Sequence, residues 1–310
     1  MNDEKDMNQP EFSILIGMVS TEDEKRILET LDVLRKQEGS HKYEVIIADR
    51  RNDAVSETIQ KDYPEVTLLA AEKETTLTEL RTRALERASG DIIIVTEDHC
   101  VPSSNWLQSF QQAFEQAPAS TAAVGGCVEN GVDETSLDWA TFFCEYSFFL
   151  SPVQEGSSDS LPGMNVAYKK DVFSGVDREI LTSGFWETTL HPRLLKEGKV
   201  LYSTNKIKIF HSKKFSLGLF LSQRFIYSRY YAGLRFKSSQ YLHRVLASVA
   251  TILLPPLLLY RMIKQIRQKN RLREELLAAS PYLALFILVW TAGEMYGYLF
   301  GTGNALAEIE

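Results

Sequence analysis

Short apolar runs alternate, throughout the first 100 residues, with segments that have an apolar residue at every third or fourth position. The runs are typical of strands buried on both faces of a sheet, and the spaced segments are typical of helices with one apolar face. We therefore predict strands at residues 12–19, 43–48, 66–70 and 92–95. Helices are predicted at residues 22–36, 56–63 and 76–89. This alternation indicates an α/β fold with a parallel sheet and right-handed crossovers.

The pattern is less regular between residues 106 and 211. It predicts further helices at residues 106–116 and 189–197. Further strands are predicted at residues 122–128, 165–168, 200–202 and 207–210. Residues 138–150 are aromatic and are predicted to be irregular. Residues 155–162 are small and polar, which makes them a candidate mobile flap.

Two long apolar segments, residues 245–260 and 276–300, dominate the last third of the chain. The second is long enough to span a bilayer, which needs about 20 residues, although a buried core helix is the alternative. Pro255 and Pro256 interrupt the first segment, and broken backbone is costly in lipid. We predict that residues 245–260 form a re-entrant or interfacial hairpin while residues 276–300 cross alone. Two ordinary spans are the alternative.

Basic residues are concentrated beside these apolar segments. The chain of 310 residues has a net charge of −7, yet no acidic residue lies between Glu197 and Glu274. Residues 199–273 hold 16 of the 34 Lys and Arg residues. A basic region that adjoins apolar segments indicates attachment to an anionic membrane surface. Nucleic acid is not the expected partner, because its basic footprint would lie on a soluble face.

The cysteines bear on the cellular compartment. Cys100, Cys127 and Cys144 are scattered along the chain and form no CxxC pair. This spacing argues against a disulfide framework or a zinc site and favours a reducing compartment. The first ten residues are polar and acidic, so no secretory signal peptide is expected.

The candidate chemistry lies at the end of the fourth predicted strand, where open α/β sheets bind ligands. Glu97, Asp98 and His99 follow its buried run. Glu97 and His99 are two positions apart, so an extended backbone would project them to the same side. A carboxylate and an imidazole so placed predict a divalent-metal site with positions left for phosphate oxygens. The alternative is an acidic turn before the next helix, which would be capped by Ser103, Ser104 or Asn105.

Several segments resemble, in the same order, those of the family 2 glycosyltransferases. The segments are FSILIGMVS, YEVIIADRRND, IIIVTEDHCVPSSNWL, LPGMNVAYKKDVF, SGFWETTLHPRLLKEGKVLY and IKIFH. The resemblance covers about the first 220 residues. It implies the GT-A fold of nucleotide-diphospho-sugar transferases, with a Rossmann-like, mostly parallel sheet, followed here by C-terminal membrane helices. The predicted domains are therefore residues 11–220 and 221–310.

The sequence departs from the family's motifs at the two places that bear most on the chemistry. The usual DxD is Glu97-Asp98-His99 in this chain, although Glu and His also ligate divalent cations. The usual Glu-Asp pair is Trp186-Glu187, which leaves Glu187 at the position of the family's catalytic base.

Two further motifs are incomplete. The segment 46–53 lacks the second Asp of the usual pair and keeps only Asp49. The QxxRW motif of processive polysaccharide synthases is absent, and residues 223–227 are the nearest stretch. The sequence therefore argues against a processive polymerase.

The resemblance implies inverting transfer of a sugar from a nucleotide sugar, expected to be UDP-linked, to an acceptor hydroxyl. Glu187 is the implied base that accepts the acceptor's proton. Glu97, His99 and His211 are the implied ligands of a divalent cation, Mg²⁺ or Mn²⁺, that neutralises the departing diphosphate. The alternative for Glu187 is an ordinary first-turn helix residue, and the alternative for His211 is a structural histidine.

Four more residues are implied contacts of the nucleotide-sugar donor, namely Asp49, Arg81, Asp98 and Asn165. A carboxylate such as Asp49 can accept a base N–H. Asp98 would assist the cation directly or through water. A solvated helix residue is the alternative for Arg81, and a turn-forming residue is the alternative for Asn165.

The implied partners are the donor, a lipid-linked or glycan acceptor and the membrane. We expect a cell-membrane enzyme of cell-surface glycan or glycolipid synthesis whose catalytic domain is cytoplasmic, where nucleotide sugars are found. A non-catalytic, GT-A-like membrane protein that binds nucleotide sugars is the alternative, because two motif carboxylates are replaced. A nicotinamide oxidoreductase would need a Gly-rich turn after the first strand, and STEDEK stands there instead.

Overall fold

The computed structural model describes residues 9–19, 26–235 and 241–309. The chain is divided into two compact units. The first consists of Met1–Gly131 and Ser151–Lys213, and the second of Val132–Leu150 and Lys214–Glu310. The division of the chain at residue 220 into two domains stays a prediction.

The first unit contains one mixed sheet, in which nine strands are described. In chain order they are β1 (Phe12–Met18), β2 (Tyr43–Asp49), β3 (Val66–Ala70), β4 (Ile92–Glu97), β5 (Cys100–Pro102), β6 (Thr121–Asn130), β7 (Gly156–Ser158), β8 (Val166–Lys169) and β9 (Val200–His211). Their spatial order is β3-β2-β1-β4-β8-β6-β9-β5, and β7 pairs with β9. Neighbours among β1 to β4 are parallel, whereas β8 is antiparallel to both β4 and β6. The predicted α/β fold with a mostly parallel sheet is confirmed, with β8 as the reversed strand in its centre.

Helices connect these strands. They are α1 (Arg26–Arg35), α2 (Ala54–Asp62), α3 (Leu77–Leu85), α4 (Trp106–Gln116), α6 (Arg178–Thr182) and α7 (Trp186–Lys196). Between α4 and α6 in the chain, α5 (Ser136–Tyr146) is part of the second unit. Asp53 caps α2 through the N–H groups of Val55 and Ser56, and Thr76 caps α3 through the N–H of Glu79. Such caps satisfy helix N–H groups that have no partner within the helix.

The second half of this unit differs from the predictions in two features. The strands predicted at residues 200–202 and 207–210 are one strand, β9, whose pairing with β6 is irregular. The short β7 lies within the predicted flap at residues 155–162 and pairs with β9. Local sequence did not reveal either feature, because both depend on pairing with a distant strand.

The second unit is helical. Its helices are α5 (Ser136–Tyr146), α8 (Leu217–Arg235), α9 (Tyr241–Ala250), α10 (Leu254–Gln268), α11 (Arg273–Phe300) and α12 (Ala305–Glu308). The prediction that residues 138–150 are irregular is wrong. The side chains of Thr135 and Asp138 form a capping box at the start of α5. The aromatic residues of α5 also recur at helical spacing, at Trp139, Phe142, Phe143 and Tyr146.

The predicted hairpin at residues 245–260 is not present. α9 continues through the 3₁₀ turn Thr251–Leu253 into α10, and the chain does not reverse direction there. Pro255 and Pro256 lie in the first turn of α10, where the missing N–H groups would have no helical acceptor. Tyr241–Gln268 and Arg273–Phe300 are therefore two helical stretches that are each long and apolar enough to cross a membrane.

Small residues allow α8 and α11 to pack closely. A Cβ atom on Gly293 would lie 2.5 Å from the carbonyl oxygen of Phe225, and one on Gly297 would overlap the carbonyl oxygen of Arg229. The spacing Gly-x-x-x-Gly lets two helix backbones approach each other, as it does in many helix pairs of membrane proteins.

Candidate active site

Strand pairing brings the predicted metal ligands together. β4 ends at Glu97, a turn contains Asp98 and His99, and β5 begins at Cys100. β5 runs antiparallel to the end of β9 with Cys100 opposite His211, which places His211 beside His99. Glu97 and His99 thus meet across a turn rather than along an extended strand. The prediction of their proximity rested on the wrong geometry.

The three side chains form a compact set of ligands. One donor atom from each of Glu97, His99 and His211 lies within 4.8 Å of the other two. The Nε2 atom of His99 is 3.3 Å from Oε2 of Glu97 and 3.0 Å from Nε2 of His211. A carboxylate and two imidazoles are suitable ligands for a divalent transition-metal ion. The residues present are therefore compatible with the predicted cation.

Asp98 holds His99 in place. Its Oδ1 atom is 2.7 Å from Nδ1 of His99, and its Oδ2 atom accepts the backbone N–H of Val19 at 2.9 Å. Asp98 is buried, with 3% of its surface exposed. A carboxylate that accepts the Nδ1 proton leaves Nε2 to act as the ligand, which is how second-shell groups orient metal-binding histidines. Asp98 therefore supports the ligand set and fixes it to the end of β1.

The three ligand side chains differ in the direction in which the protein shifts their pKa values. Burial alone would raise the pKa of Glu97, but its hydrogen bond with His99 and the nearby positive charges of His99 and Arg81 lower it to about 2. Burial lowers the pKa of His99, but its hydrogen bonds with Asp98 and Glu97 outweigh that effect and raise it. Burial and the charge of His99 hold the pKa of His211 well below its usual range. Glu97 is therefore ionised and His211 neutral at physiological pH.

Arg81 lies at the same site, although the amino-acid sequence alone also allowed a solvated helix residue there. It projects from α3, is only 1% exposed, and pairs with Glu97 through Nη2 and Oε1 at 2.9 Å. Its guanidinium carbon is 5.8 Å from the ring centroid of Phe185. A buried guanidinium beside the ligand cluster is a strong donor for a phosphate oxygen. The structure thus excludes the solvated alternative.

Glu187 lies in the first turn of α7, close to these groups. Its Oε2 atom is buried and has no hydrogen-bond partner in the described part of the chain. Burial raises the pKa of Glu187, and the charge of Arg81 partly opposes that shift. A carboxylate with a raised pKa is better matched to accept a proton near neutral pH. Sequence reasoning missed its neighbour Gly163, where a Cβ atom would lie 2.7 Å from Oε2 of Glu187.

Asp49 is completely buried and organises the loop after β2. Its carboxylate accepts the N–H of Arg51 at 2.7 Å and the hydroxyl of Ser56 at 2.5 Å. It also accepts the backbone N–H of Asn52. These bonds shape the turn into α2. The contact of Asp49 with a nucleotide base stays a prediction.

Asn165 is not brought to the ligand cluster. It is fully buried, and its Oδ1 atom accepts the indole N–H of Trp106 at 2.8 Å. Its Nδ2 atom donates to the carbonyl oxygens of Cys127 and Ile207 at 2.9 and 3.3 Å. In this conformation the amide joins α4, β6 and β9. Its contact with a sugar stays a prediction.

A family comparison identifies the fold and the chemistry. The family model described as Glycosyl transferase family 2 matches residues 15–185, which is more than half of the chain. The chain belongs to glycosyl transferase family 2. It is therefore a glycosyltransferase with the GT-A fold and transfers a sugar from a nucleotide sugar, as the sequence resemblance implied.

One relative and one solved structure are similar to this family 2 enzyme over most of its length, at low sequence identity. A glucosyl-dolichyl phosphate glucuronosyltransferase of Haloferax volcanii is 22% identical over 314 residues, which cover 93% of this chain and 95% of that protein. Among solved structures, the mannosyltransferase PcManGT from Pyrobaculum calidifontis, in complex with GDP-Man and Mn²⁺, has a TM-score of 0.54 at 16% identity. That alignment covers 96% of this chain and 86% of PcManGT. Both alignments extend beyond residue 185, where the match to the family model ends.

A second solved structure shares the fold of the family 2 enzyme over a smaller part. GalNAc-T7 with UDP, GalNAc and Mn²⁺ has a TM-score of 0.52 at 14% identity. The alignment covers 68% of this chain and 44% of GalNAc-T7. Both solved structures contain Mn²⁺. At these identities the comparison shows the GT-A fold and not the substrate.

Proposed function

We propose that this glycosyltransferase transfers a sugar with inversion from a UDP-linked donor to a hydroxyl group of a lipid-linked glycan acceptor at the cytoplasmic face of the cell membrane. One observation carries the proposal. A half-buried carboxylate with a partnerless oxygen, Glu187, lies beside Arg81 and the convergent ligands Glu97, His99 and His211. A base next to a cation-binding set is the arrangement that sugar transfer from a diphosphate requires.

Glu187 is the proposed general base. The acceptor oxygen attacks the anomeric carbon from the face opposite the diphosphate, and the bond from that carbon to the phosphate oxygen breaks. The hydroxyl proton passes to the Glu187 carboxylate as the new bond forms, and the nucleoside diphosphate departs with the bonding electrons. Attack from the opposite face inverts the anomeric configuration. The raised pKa of Glu187, caused mainly by burial, brings its proton affinity closer to that needed at neutral pH.

The proposed cation ligands are Glu97, His99 and His211, with Asp98 orienting His99. Two imidazoles favour a transition-metal ion such as Mn²⁺ over Mg²⁺, which prefers oxygen ligands. When bound, the cation supplies positive charge that neutralises the diphosphate as it leaves. Arg81 adds a permanent positive charge at the same place and binds a phosphate oxygen through its guanidinium.

The acceptor is proposed from the relative and from the helical unit. The Haloferax volcanii relative is named for a glucosyl-dolichyl phosphate, a sugar carried on a lipid phosphate. Two helical stretches in this chain are long and apolar enough to cross a membrane. An acceptor with a lipid carrier would be held in the same bilayer as the enzyme, which supports a role in cell-surface glycan or glycolipid synthesis.

The cytoplasmic location of the catalytic residues is proposed from two considerations. Cys100, Cys127 and Cys144 are all free and buried thiols. Such thiols are stable in a reducing compartment. Donor sugars linked to nucleotides are expected in the same compartment.

The test combines donor binding with turnover. UDP-linked and GDP-linked sugars are screened for a rise in the thermal unfolding midpoint of the full-length protein, with and without Mn²⁺. Transfer to lipid-linked acceptors is then measured for the wild type, for Glu187→Gln and for the control Glu179→Gln. Glu179 is an exposed acid in the first turn of the neighbouring α6.

We expect Glu187→Gln to bind the donor normally and to lose about 10²–10⁴-fold in turnover, because general-base help is of that size. Glu179→Gln should match the wild type, and excess chelator should abolish transfer. Near-normal turnover by Glu187→Gln would remove the base assignment. Full activity in chelator would remove the cation from the proposal.

A further inference from the structure

A groove of about 490 Å³ lies between α10 and α11, within the helical unit. Pockets of this volume accommodate ligands as large as drug molecules. The side chains of Leu259, Ile263, Leu276 and Leu283 form much of its wall. None of these residues belongs to the candidate active site.

The groove is polar at one end and apolar along the rest. Arg267 and Arg273 line it where α10 ends and α11 begins. Leu259 lies eight residues before Arg267, and Leu283 lies ten residues after Arg273. At 1.5 Å per helical residue, the apolar wall extends about 12–15 Å away from the arginines. The groove therefore has the same division into a charged end and an apolar tail as a membrane lipid.

The two arginines at the polar end of the groove are available to a ligand. Arg267 and Arg273 are both exposed, and neither guanidinium makes an ion pair with any residue in the described ranges. Glu274 and Glu275 follow Arg273 in the first turn of α11, and the structure does not pair either with the two arginines. Two guanidinium groups at the polar end of the groove can together bind a phosphate group.

We propose that this groove binds one anionic phospholipid, with its phosphate between Arg267 and Arg273 and one acyl chain along the leucine-rich wall. The two arginines complement the charge of an anionic head group, as basic pockets between membrane helices do when they bind such lipids. Leu259 and Ile263 on this wall are partly exposed, in a part of the chain that is long and apolar enough to cross a bilayer. The lipid would fill the space between α10 and α11 and stabilise their packing.

The test uses the full-length protein purified in detergent, with phosphatidylglycerol as the probe and phosphatidylcholine as the uncharged comparison. Lipid binding is read from the thermal unfolding midpoint during titration and from retained lipid in native mass spectrometry. The variant Arg267→Gln/Arg273→Gln removes the proposed phosphate contacts. The control Arg261→Gln/Lys264→Gln removes the same charge from exposed positions of α10 that do not line the groove.

Phosphatidylglycerol should raise the midpoint of the wild type and of the control variant, with one lipid retained, and phosphatidylcholine should not. The affinity of the double Arg→Gln variant should fall about 30-fold, since each basic residue near an anionic head group contributes about 1 kcal/mol. A second variant, Ser280→Phe, narrows the groove and keeps both arginines. It should lose the bound lipid as well. The proposal can therefore still be tested if the first variant fails to fold.

Three outcomes would overturn the proposal. Equal loss of affinity in the control variant would show general attraction to a basic surface. An equal response to phosphatidylcholine would show that the phosphate is not recognised. A response to a polyprenyl phosphate without one to phosphatidylglycerol would assign the groove to a different lipid. None of these readouts depends on turnover, so they are independent of the proposed catalytic function.

Discussion

Asp98 connects the end of the first strand to the candidate metal ligands. One of its oxygens is bonded to His99 and the other to the N–H of Val19. The contact of Asp98 with the donor, which the family's motif implied, stays a prediction, and the geometry shows that its carboxylate also positions His99. A buried carboxylate in that role fixes the tautomer of His99, because the proton stays on Nδ1.

Gly163 makes room for the proposed base, so Gly163→Ala should impair catalysis without impairing folding. The added Cβ would lie 2.7 Å from Oε2 of Glu187, and the end of this flexible side chain would have to move. Gly163 is not among the residues with positive φ, so alanine is compatible with its backbone. Misplacing a catalytic group by about 1 Å costs about 10²-fold in rate, and we expect a loss of that size in turnover.

The control for this substitution is Gly218→Ala, because no atom lies within 4 Å of a Cβ at Gly218 and its φ is also not positive. Turnover and the thermal unfolding midpoint are measured for both variants. Both should keep the wild-type midpoint within a few degrees, and only Gly163→Ala should lose activity. Wild-type turnover by Gly163→Ala would show that the position of the Glu187 carboxylate is not critical.

At the scale of elements, α11 is the central helix of the second unit. Its buried residues include Leu283, Phe286 and Ile287, and its close approach to α8 occurs at Gly293 and Gly297. Glycine at these two positions lets the backbones of α8 and α11 approach closely, which a larger side chain would prevent. The face of α11 that carries the glycines should therefore be intolerant of larger side chains.

Gly293→Val should destabilise the helical unit, because its side chain would overlap the α8 backbone at Phe225. Overpacking of this kind costs about 1–3 kcal/mol. The adjacent Ala292→Val is the matched control, since Ala292 is exposed on the same helix. Thermal unfolding in detergent should give a lower midpoint for Gly293→Val alone. Equal midpoints for the two variants would mean that α8 and α11 do not need this close approach.

At the scale of the whole molecule, apolar and basic residues are concentrated in the same third of the chain. Leu246, Leu253, Leu277, Leu288 and Phe300 are exposed on the two long helical stretches. A surface of this kind is rare on soluble proteins and is typical of membrane-facing helices. These two features suggest membrane association, by hydrophobic insertion, by charge attraction or by both.

We expect hydrophobic insertion to dominate, so the protein should stay in the membrane pellet in 1 M salt and at alkaline pH and be released by detergent. Salt at 1 M shortens the Debye length to about 3 Å and would release a protein held by charge alone. The variant Leu253→Arg/Leu257→Arg should be released more readily, since each Arg at a helix centre costs about 2.5–3.5 kcal/mol. Fractionation followed by immunoblotting measures the distribution.

The control for that variant makes the same change in charge in the first unit, as Glu57→Gln/Glu115→Gln, at two exposed positions. It should remain in the pellet as firmly as the wild type. Complete release of the wild type by salt would contradict insertion and would favour electrostatic attachment at the surface.

Local pattern was sufficient to predict most of the first half of the fold. Apolar runs marked β1 to β4 because a strand buried on both faces needs apolar residues throughout. The motifs also predicted the family, because several family-like segments in the right order are much more specific than a single segment. Pattern failed at residues 138–150, because their aromatic content favours an irregular segment while the aromatic residues recur at helical spacing.

Only the tertiary structure decided which distant residues meet. His211 reaches His99 through the register of β5 and β9, and Glu187 owes its space to the absence of a side chain at Gly163. It also decided that Pro255 and Pro256 begin a helix instead of breaking one. Each of these depends on contacts or hydrogen-bond positions set by the whole chain. The sequence determined the segments and the family, and packing determined the site, because long-range register is not encoded in any single stretch.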